Sequence, residues 1–452
     1  MTQTAAEQLA QHFYDFSYAK LPGVSRTAVK RLLLDYLGVG LAGSQSASGK
    51  IAREFAALQG GVEQSSLIGG SARVPAVLAS FANAISSHSI ELDDIDVLAL
   101  FHFSPPVFSA ALAVGESVGA SGEELISALA AGCEMMERVS RAANNSLRDR
   151  AFHTTPTTGV FGATIAAACL MKLSPEQIVS ALGLAGAQAS GLMEMYGPSM
   201  QKRFNPGPAS RNGVTAATMA SLGFTGASTI FDGERGFLRA FTDKHDVDAL
   251  TAGFGSPYEL LIEFKPYSCA RPIHNAIDCA LAIRRQMLDE GKTIDLMNAT
   301  RIVMERHPDW LHYHQNKTPK TYHEAQVSLP YSVAVALEEG GALFAQYRDD
   351  KLKTPTLLHA SGVVEFEGNA SLPRGVSCRM TLEMNDGSHY VSQIDDPKGS
   401  IGNPMSDEEL RVKFDSLAVP VIGAGAAAKL ADAVATIESA DVASLMALTM
   451  AG

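Results

Sequence analysis

The spacing of apolar residues changes once along this 452-residue chain, near residue 264, and that change limits what the chain can fold into. Before it, Ala, Leu and Met recur at three- and four-residue intervals, the period of a helix with one buried face. Helix starts are marked as well. Ser121 stands three residues before Glu124, and Ser174 three before Gln177 with Pro175 between them, both in the pattern of a capping box. "GVFGATIAAACLM" (159–171) is apolar almost all round, so a helix there is expected to be buried on several sides. Glycine-bearing breaks such as "GFTGAS" (223–228) separate one helix from the next.

After residue 264 the texture becomes mixed. "TRIVMERHP", "GVVEFEG" and "CRMTLEMNDGSHYVSQI" alternate in the two-residue period of strands, and Asn385-Asp386-Gly387 is a hairpin signal. "YSVAVALEEG" (331–340) reads as a helix among them. From "SDEELRVKF", capped by Ser406 with Glu409, the chain turns helical again. The expectation is a mainly α protein in three stretches. Residues 1–264 form the first part of a large helical domain, 265–400 a smaller inserted α+β domain, and 401–452 helices that return to the first domain. About 50 residues are too few to build a good core alone.

Charge and cysteine content narrow the function. A net charge of −12 argues against nucleic acid or an anionic membrane surface as partner. No apolar run approaches the ~18 residues of a membrane span, and the N-terminus lacks the basic-then-apolar pattern of a signal peptide. Cys133, Cys169, Cys269, Cys279 and Cys378 include no CxxC pair, which fits free thiols in a reducing cytoplasm and disfavours an iron–sulfur cluster.

"ELDDIDVLALFHFSPP" (91–106) gathers Asp93, Asp94, Asp96 and His102 inside an apolar region. Taken alone it reads as a solvated loop between helices, or as a pocket wall that moves protons. His153 precedes a Thr- and Pro-rich helix start, where the positive end of the helix dipole disfavours a second charge; a neutral base and a simple capping residue both remain open. Lys202 and Arg203 lie in a turn-rich segment ahead of the helix that Arg211 opens, a combination suited to a carboxylate. Lys265, Tyr267, Arg271 and His274 gather at the seam between the two textures, where pockets often form. Two patterns are set aside. "VPVIGAGAAAKLADAV" (419–434) imitates a dinucleotide-binding turn but lacks the second strand and its acidic residue. His307, His312 and His314 lack a carboxylate or cysteine at ligand spacing, so they read as the polar face of a strand beside Trp310 rather than as a metal site.

Five segments in order, "HSIELDDI…FHFSPPVFSAALAVGE", "FHTTPTTGVFGA", "KRFNPGPASRNGVTAATMASLGFTG", "FKPYSCARPIHNAID" and "VSLPYSVAVAL", resemble the MmgE/PrpD family. That family includes 2-methylcitrate dehydratase, cis-aconitate decarboxylase and iminodisuccinate epimerase. The resemblance implies a cofactor-independent and metal-free homodimer acting on a small carboxylate, a 2-methylcitrate-type hydro-lyase first, with decarboxylase and epimerase as alternatives. A carboxylate-binding protein without activity is the least favoured reading. The resemblance carries over Asp93, Asp94, His102, His153, Lys202, Lys265 and Tyr331. Asp96 departs from it, standing where many members have histidine. Chemically, abstraction of a proton beside a carboxylate needs fixed cations and a placed base. Lys202, Arg203, Lys265 and Arg271 are the expected substrate contacts. His153 is the expected base. His102 is the expected acid, with an acidic neighbour raising its pKa. Asp93 or Asp94 orients a ring, and Tyr331 donates a proton or a hydrogen bond.

Overall fold

The computed structural model describes residues 3–97, 100–143, 145–195, 199–254, 258, 260–373 and 377–451. Leu98 and Ala99 of the acidic stretch, and Tyr196 to Pro198 of the turn-rich segment, lie outside them. The chain is mainly helical, with one four-stranded sheet.

Local signals act where the sequence places them. Ser174 accepts from the Gln177 amide and Gln177 returns the bond, while Ser121 and Glu124 do the same at the helix Gly122–Ala143. Ser406 and Glu409 cap the helix Asp407–Ile422. The helix Thr154–Leu170 has nearly every side chain buried, as its all-round apolar character requires. It crosses Gly122–Ala143 at Gly132 and Gly162, where a Cβ on Gly162 would stand 2.7 Å from the Gly132 carbonyl oxygen. Any larger residue at that crossing would force the helices apart.

One core takes residues from Ala5 to Phe264 and again from Met405 to Met446. Leu410, Phe414 and Ala418 of the helix Asp407–Ile422 belong to it, and that helix lies on the helix Gly23–Ser44. A second core takes residues from Tyr267 to Tyr390. It contains the sheet, made of β1 (Ala299–Arg306), β2 (Val364–Gly368), β3 (Cys378–Met384) and β4 (His389–Ile394), in the order β2-β1-β3-β4. β1 runs parallel to β2 and antiparallel to β3. β3 and β4 form the hairpin expected at Asn385-Asp386-Gly387, with Gly387 at φ +82°. The helices His274–Asp289 and Leu329–Glu339 complete this core.

The strand reading of His307 to His314 is corrected. β1 ends at Arg306 and Pro308 opens a 3-10 turn, because proline has no N–H for the ladder. His314 lies beyond at φ +66°, its Nδ1 against the Val327 carbonyl. Residues 419–434 form parts of two helices that meet at Gly423, with no strand between them. Among the described residues no helix is long and apolar enough to cross a membrane.

Candidate functional site

The described residues between 88 and 104 do not form a solvated loop. His88, Glu91, Asp93, Asp94, Asp96 and His102 are all buried, and both cores hold the backbone that carries them. Ile95 pairs with Glu263 through both backbone bonds, and Asp96 pairs with Phe101. Lys413, from the helix Asp407–Ile422, donates to the Leu92 carbonyl and pairs with buried Asp35. Ser268 and Gln326, from the second core's segments, both donate to the Ile90 carbonyl.

Asp94 does not orient an imidazole with its side chain. Its two carboxylate oxygens accept the backbone amides of Phe103 and Ser104, at 2.7 and 3.1 Å, and so cap the helix Ser104–Val118. Burial pushes this carboxyl up to about 7, against those donors. Its backbone carbonyl meets His102 Nδ1.

Asp93 is the orienting carboxylate, and it holds two rings. Its Oδ2 lies 2.7 Å from His88 Nδ1 and 3.1 Å from His102 Nδ1. Burial would raise the Asp93 pKa, but His102, His88 and Lys265 together keep it well below the usual carboxylate range. His102 Nδ1 therefore faces only acceptors, the Asp93 carboxylate and the Asp94 carbonyl, so the ring proton belongs on Nδ1 and Nε2 carries the lone pair. The same reasoning applies to His88, whose buried Nε2 has no hydrogen-bond partner among the described residues.

His153 has the opposite tautomer. It is the N-cap residue of the helix Thr154–Leu170, and Asn205 Nδ2 approaches its Nδ1 at 3.0 Å. The same Nδ2 contacts the Met195 sulfur at 3.2 Å, an acceptor, so this end of the amide is the donor. His153 Nδ1 accepts and its proton sits on Nε2. The three rings are neighbours, with centroids of His88 and His102 4.9 Å apart and of His88 and His153 6.3 Å apart.

All three imidazoles are held neutral. Burial pushes His153 well below its usual pKa, with help from His88 and Lys202. It lowers His88 too, against Asp93. For His102 the expectation is corrected: burial outweighs the attraction of Asp93 and pushes the ring down to about 3. An acidic neighbour does not make a charged acid of a ring with so little water around it.

Lys202, Arg203 and Lys265 converge on one carboxylate, Glu91, which sits at φ +55°. Lys265 also lies 3.7 Å from Asp93 Oδ1. Three cations thus gather at Glu91 and Asp93, a setting in which an anion can be held. They differ in availability. Arg203 is buried and spends its guanidinium on Glu91 and Gln326, and Lys265 is fully enclosed. Lys202 keeps 15 % of its side chain exposed. Arg271 is elsewhere engaged, with two bonds to Glu263 at 2.8 and 2.6 Å. Tyr331 lies in the second core, its hydroxyl donating to the Gln346 carbonyl and its ring against Tyr347, so its contacts do not reach the histidines.

His88, Asp93 and His102 offer atoms close enough together to be tested as a metal set. The 2.7 Å separation of His88 Nδ1 and Asp93 Oδ2 is that of a hydrogen bond, whereas atoms bound to one tetrahedral zinc stand roughly 3.3 Å apart. Two surface cavities, of about 330 Å³ beside His12 and Glu134 and about 510 Å³ beside Arg31 and Phe264, lie away from this cluster.

Sequence reasoning missed His88, Glu91 and Asn205. The first two stand in "HSIELDDI", where the density of ionisable residues in an apolar context was the available signal. Asn205 had none, since its role depends on a residue 52 positions away.

Two family models cover most of the chain, the MmgE/PrpD N-terminal domain over residues 7–250 and the MmgE/PrpD C-terminal domain over 267–439. The chain belongs to the MmgE/PrpD family. It is similar to the cis-aconitate decarboxylase-like protein oryM of Aspergillus oryzae, 29 % identical over 451 residues that span 93 % of this chain and 92 % of that protein. It is also similar to cis-aconitate decarboxylase of Homo sapiens, 26 % identical over 438 residues (94 % and 89 %). The cis-aconitate decarboxylase of Aspergillus terreus is 25 % identical over 398 residues (82 % and 80 %).

Proposed function

We propose that this protein is a lyase that moves protons at carbon beside a carboxylate of a small di- or tricarboxylate, using only its own side chains. The observation that carries the reading is the contrast in partners at Nδ1, acceptors on His102 and the Asn205 amide on His153, which implies opposite tautomers beside a cluster of three cations. Lys202 takes the substrate carboxylate, as the one cation of the cluster with solvent access.

The relatives named for cis-aconitate decarboxylation make an unsaturated tricarboxylate of that class the first substrate to try. In that reaction the bond to one carboxylate breaks and CO2 leaves. The electron pair forms a new double bond, and the old double bond takes a proton at its far carbon from His153, which first binds that proton from solvent beside the anionic substrate and returns to its neutral form on giving it up. Dehydration of a 2-methylcitrate-type substrate is the second reading, and the base on His102 favours it. Elimination needs a base for the proton beside the carboxylate and a donor for the leaving hydroxyl at once, whereas decarboxylation needs only the donor. The same pair would epimerise iminodisuccinate if the proton returned to the other face.

Incubation with cis-aconitate, 2-methylcitrate and iminodisuccinate in D2O, followed by proton NMR, separates these outcomes. Product from one of them, or deuterium entering at carbon, is the expected result. Neither turnover nor exchange with any of the three would remove the lyase reading.

A further inference from the structure

His88 is the group in the cluster that the reaction above does not use. It follows the helix Ala76–Ser87, is wholly buried, and lies between the rings of His102 and His153. Its Nδ1 takes the hydrogen bond to Asp93 Oδ2 at 2.7 Å, while His102 Nδ1 stands 3.1 Å from the same oxygen and is hydrogen-bonded to the Asp94 carbonyl instead. A carboxylate oxygen already engaged by one N–H is a weaker acceptor for a second that stands beside it. From this geometry we infer that His88 is a positioning residue: by sharing Asp93 Oδ2 it weakens the carboxylate's hold on His102 and keeps the His102 Nε2 lone pair free to act as base.

The surroundings agree. Groups facing His102 are Asp93, the Asp94 carbonyl, His88, Lys265 and Lys202; those facing His88 are Asp93, Glu91, Lys202, His102 and His153. Burial lowers the His102 pKa most and Asp93 is the largest charge that opposes it, so competition for Asp93 changes how strongly the ring binds a proton. Lys265 approaches the other oxygen, Oδ1, at 3.7 Å and does not compete for Oδ2.

The inference rests on His102 being the base, and its test does not need turnover. The full-length protein labelled with 15N-histidine is titrated by NMR, with the His102 signals assigned by their loss in His102→Asn. In His88→Leu the Nδ1 donor is gone, and His102 should bind its proton about tenfold more tightly, a rise of about one pH unit. In His88→Asn the side-chain amide falls where Nδ1 stood, and the His102 titration should stay near that of the wild type. His88→Gln places its amide at the Nε2 position instead and should behave like Leu, which keeps the test open if Leu impairs folding. With an active substrate in hand, the acid limb of kcat/KM should move with the NMR values. An unchanged His102 titration in both Leu and Gln variants, or an equal shift in Asn, would overturn the inference. A protein with no turnover on the substrates above would still yield these NMR values, so the two readings can fail separately.

Discussion

Asn205 Nδ2 lies 3.0 Å from His153 Nδ1 and so leaves the ring proton on Nε2. A carboxylate in its place would accept rather than donate, draw the proton to Nδ1 and leave Nε2 bare. Asn205→Asp should therefore lower kcat by ~10²–10⁴-fold with a smaller change in KM, the size of a lost proton donor. Steady-state kinetics on the active substrate checks this. Turnover close to wild type would mean that the His153 tautomer does not matter.

The two histidines should fail in different ways. On a substrate that is dehydrated, His102→Asn should lose kcat by ~10²–10⁴-fold and also lose exchange of the substrate proton with D2O, because the base is gone. His153→Asn should lose product to a similar degree while retaining exchange. This reverses the roles expected from sequence, where His153 was the base. Retained exchange in His102→Asn together with lost exchange in His153→Asn would restore that earlier order.

Lys202→Ala tests substrate anchoring. A charge-assisted hydrogen bond to a substrate carboxylate contributes roughly 1.5–3 kcal/mol, or about ten- to hundred-fold in kcat/KM. Circular dichroism shows whether the variant is folded. A folded variant with unchanged kcat/KM would place Lys202 outside the binding site.

The pH profile follows from burial. His102 is pushed down to about 3, below the ~6.5 of a free imidazole, so its neutral, basic form persists as pH falls through 6.5. The acid limb of kcat/KM, which reports the free enzyme, should therefore lie well below pH 6.5. Activity should hold across pH 7 to 6. A limb at 6.5 or above would show that the base is solvated, or that Asp93 outweighs burial.

Glu91→Gln should destabilise the fold by about 3–5 kcal/mol, because it leaves Arg203 and Lys265 buried without their counter-charge. Urea unfolding measures it. A midpoint equal to that of the wild type would mean that water reaches these cations.

Much of the architecture can be read from short stretches. The boxes Ser174–Gln177 and Ser406–Glu409 and the turn at Gly387 involve residues within four positions of one another, so their geometry follows from neighbours in the chain. The all-round apolar character of residues 159–171 likewise implied a helix enclosed by others, and Thr154–Leu170 is one. His307 to His314 misled because alternation before them suggested that the strand continued, whereas Pro308 ends it.

By itself, the sequence determined the helical and strand segments, the presence of acids and histidines in one apolar stretch, and the cationic residues that could meet them. Tertiary structure decided what each of those groups does. Lys202, Arg203 and Lys265 meet Glu91 across 111, 112 and 174 residues, while Arg271, chemically equivalent in sequence, is taken by Glu263. The proton on His102 was assigned by Asp93 and the Asp94 carbonyl, and that on His153 by Asn205. The physical reason is range. Caps and turns depend on bonds between near neighbours, but the charge state of a buried group depends on every charge and dipole the fold brings around it, and on how much water the fold takes away.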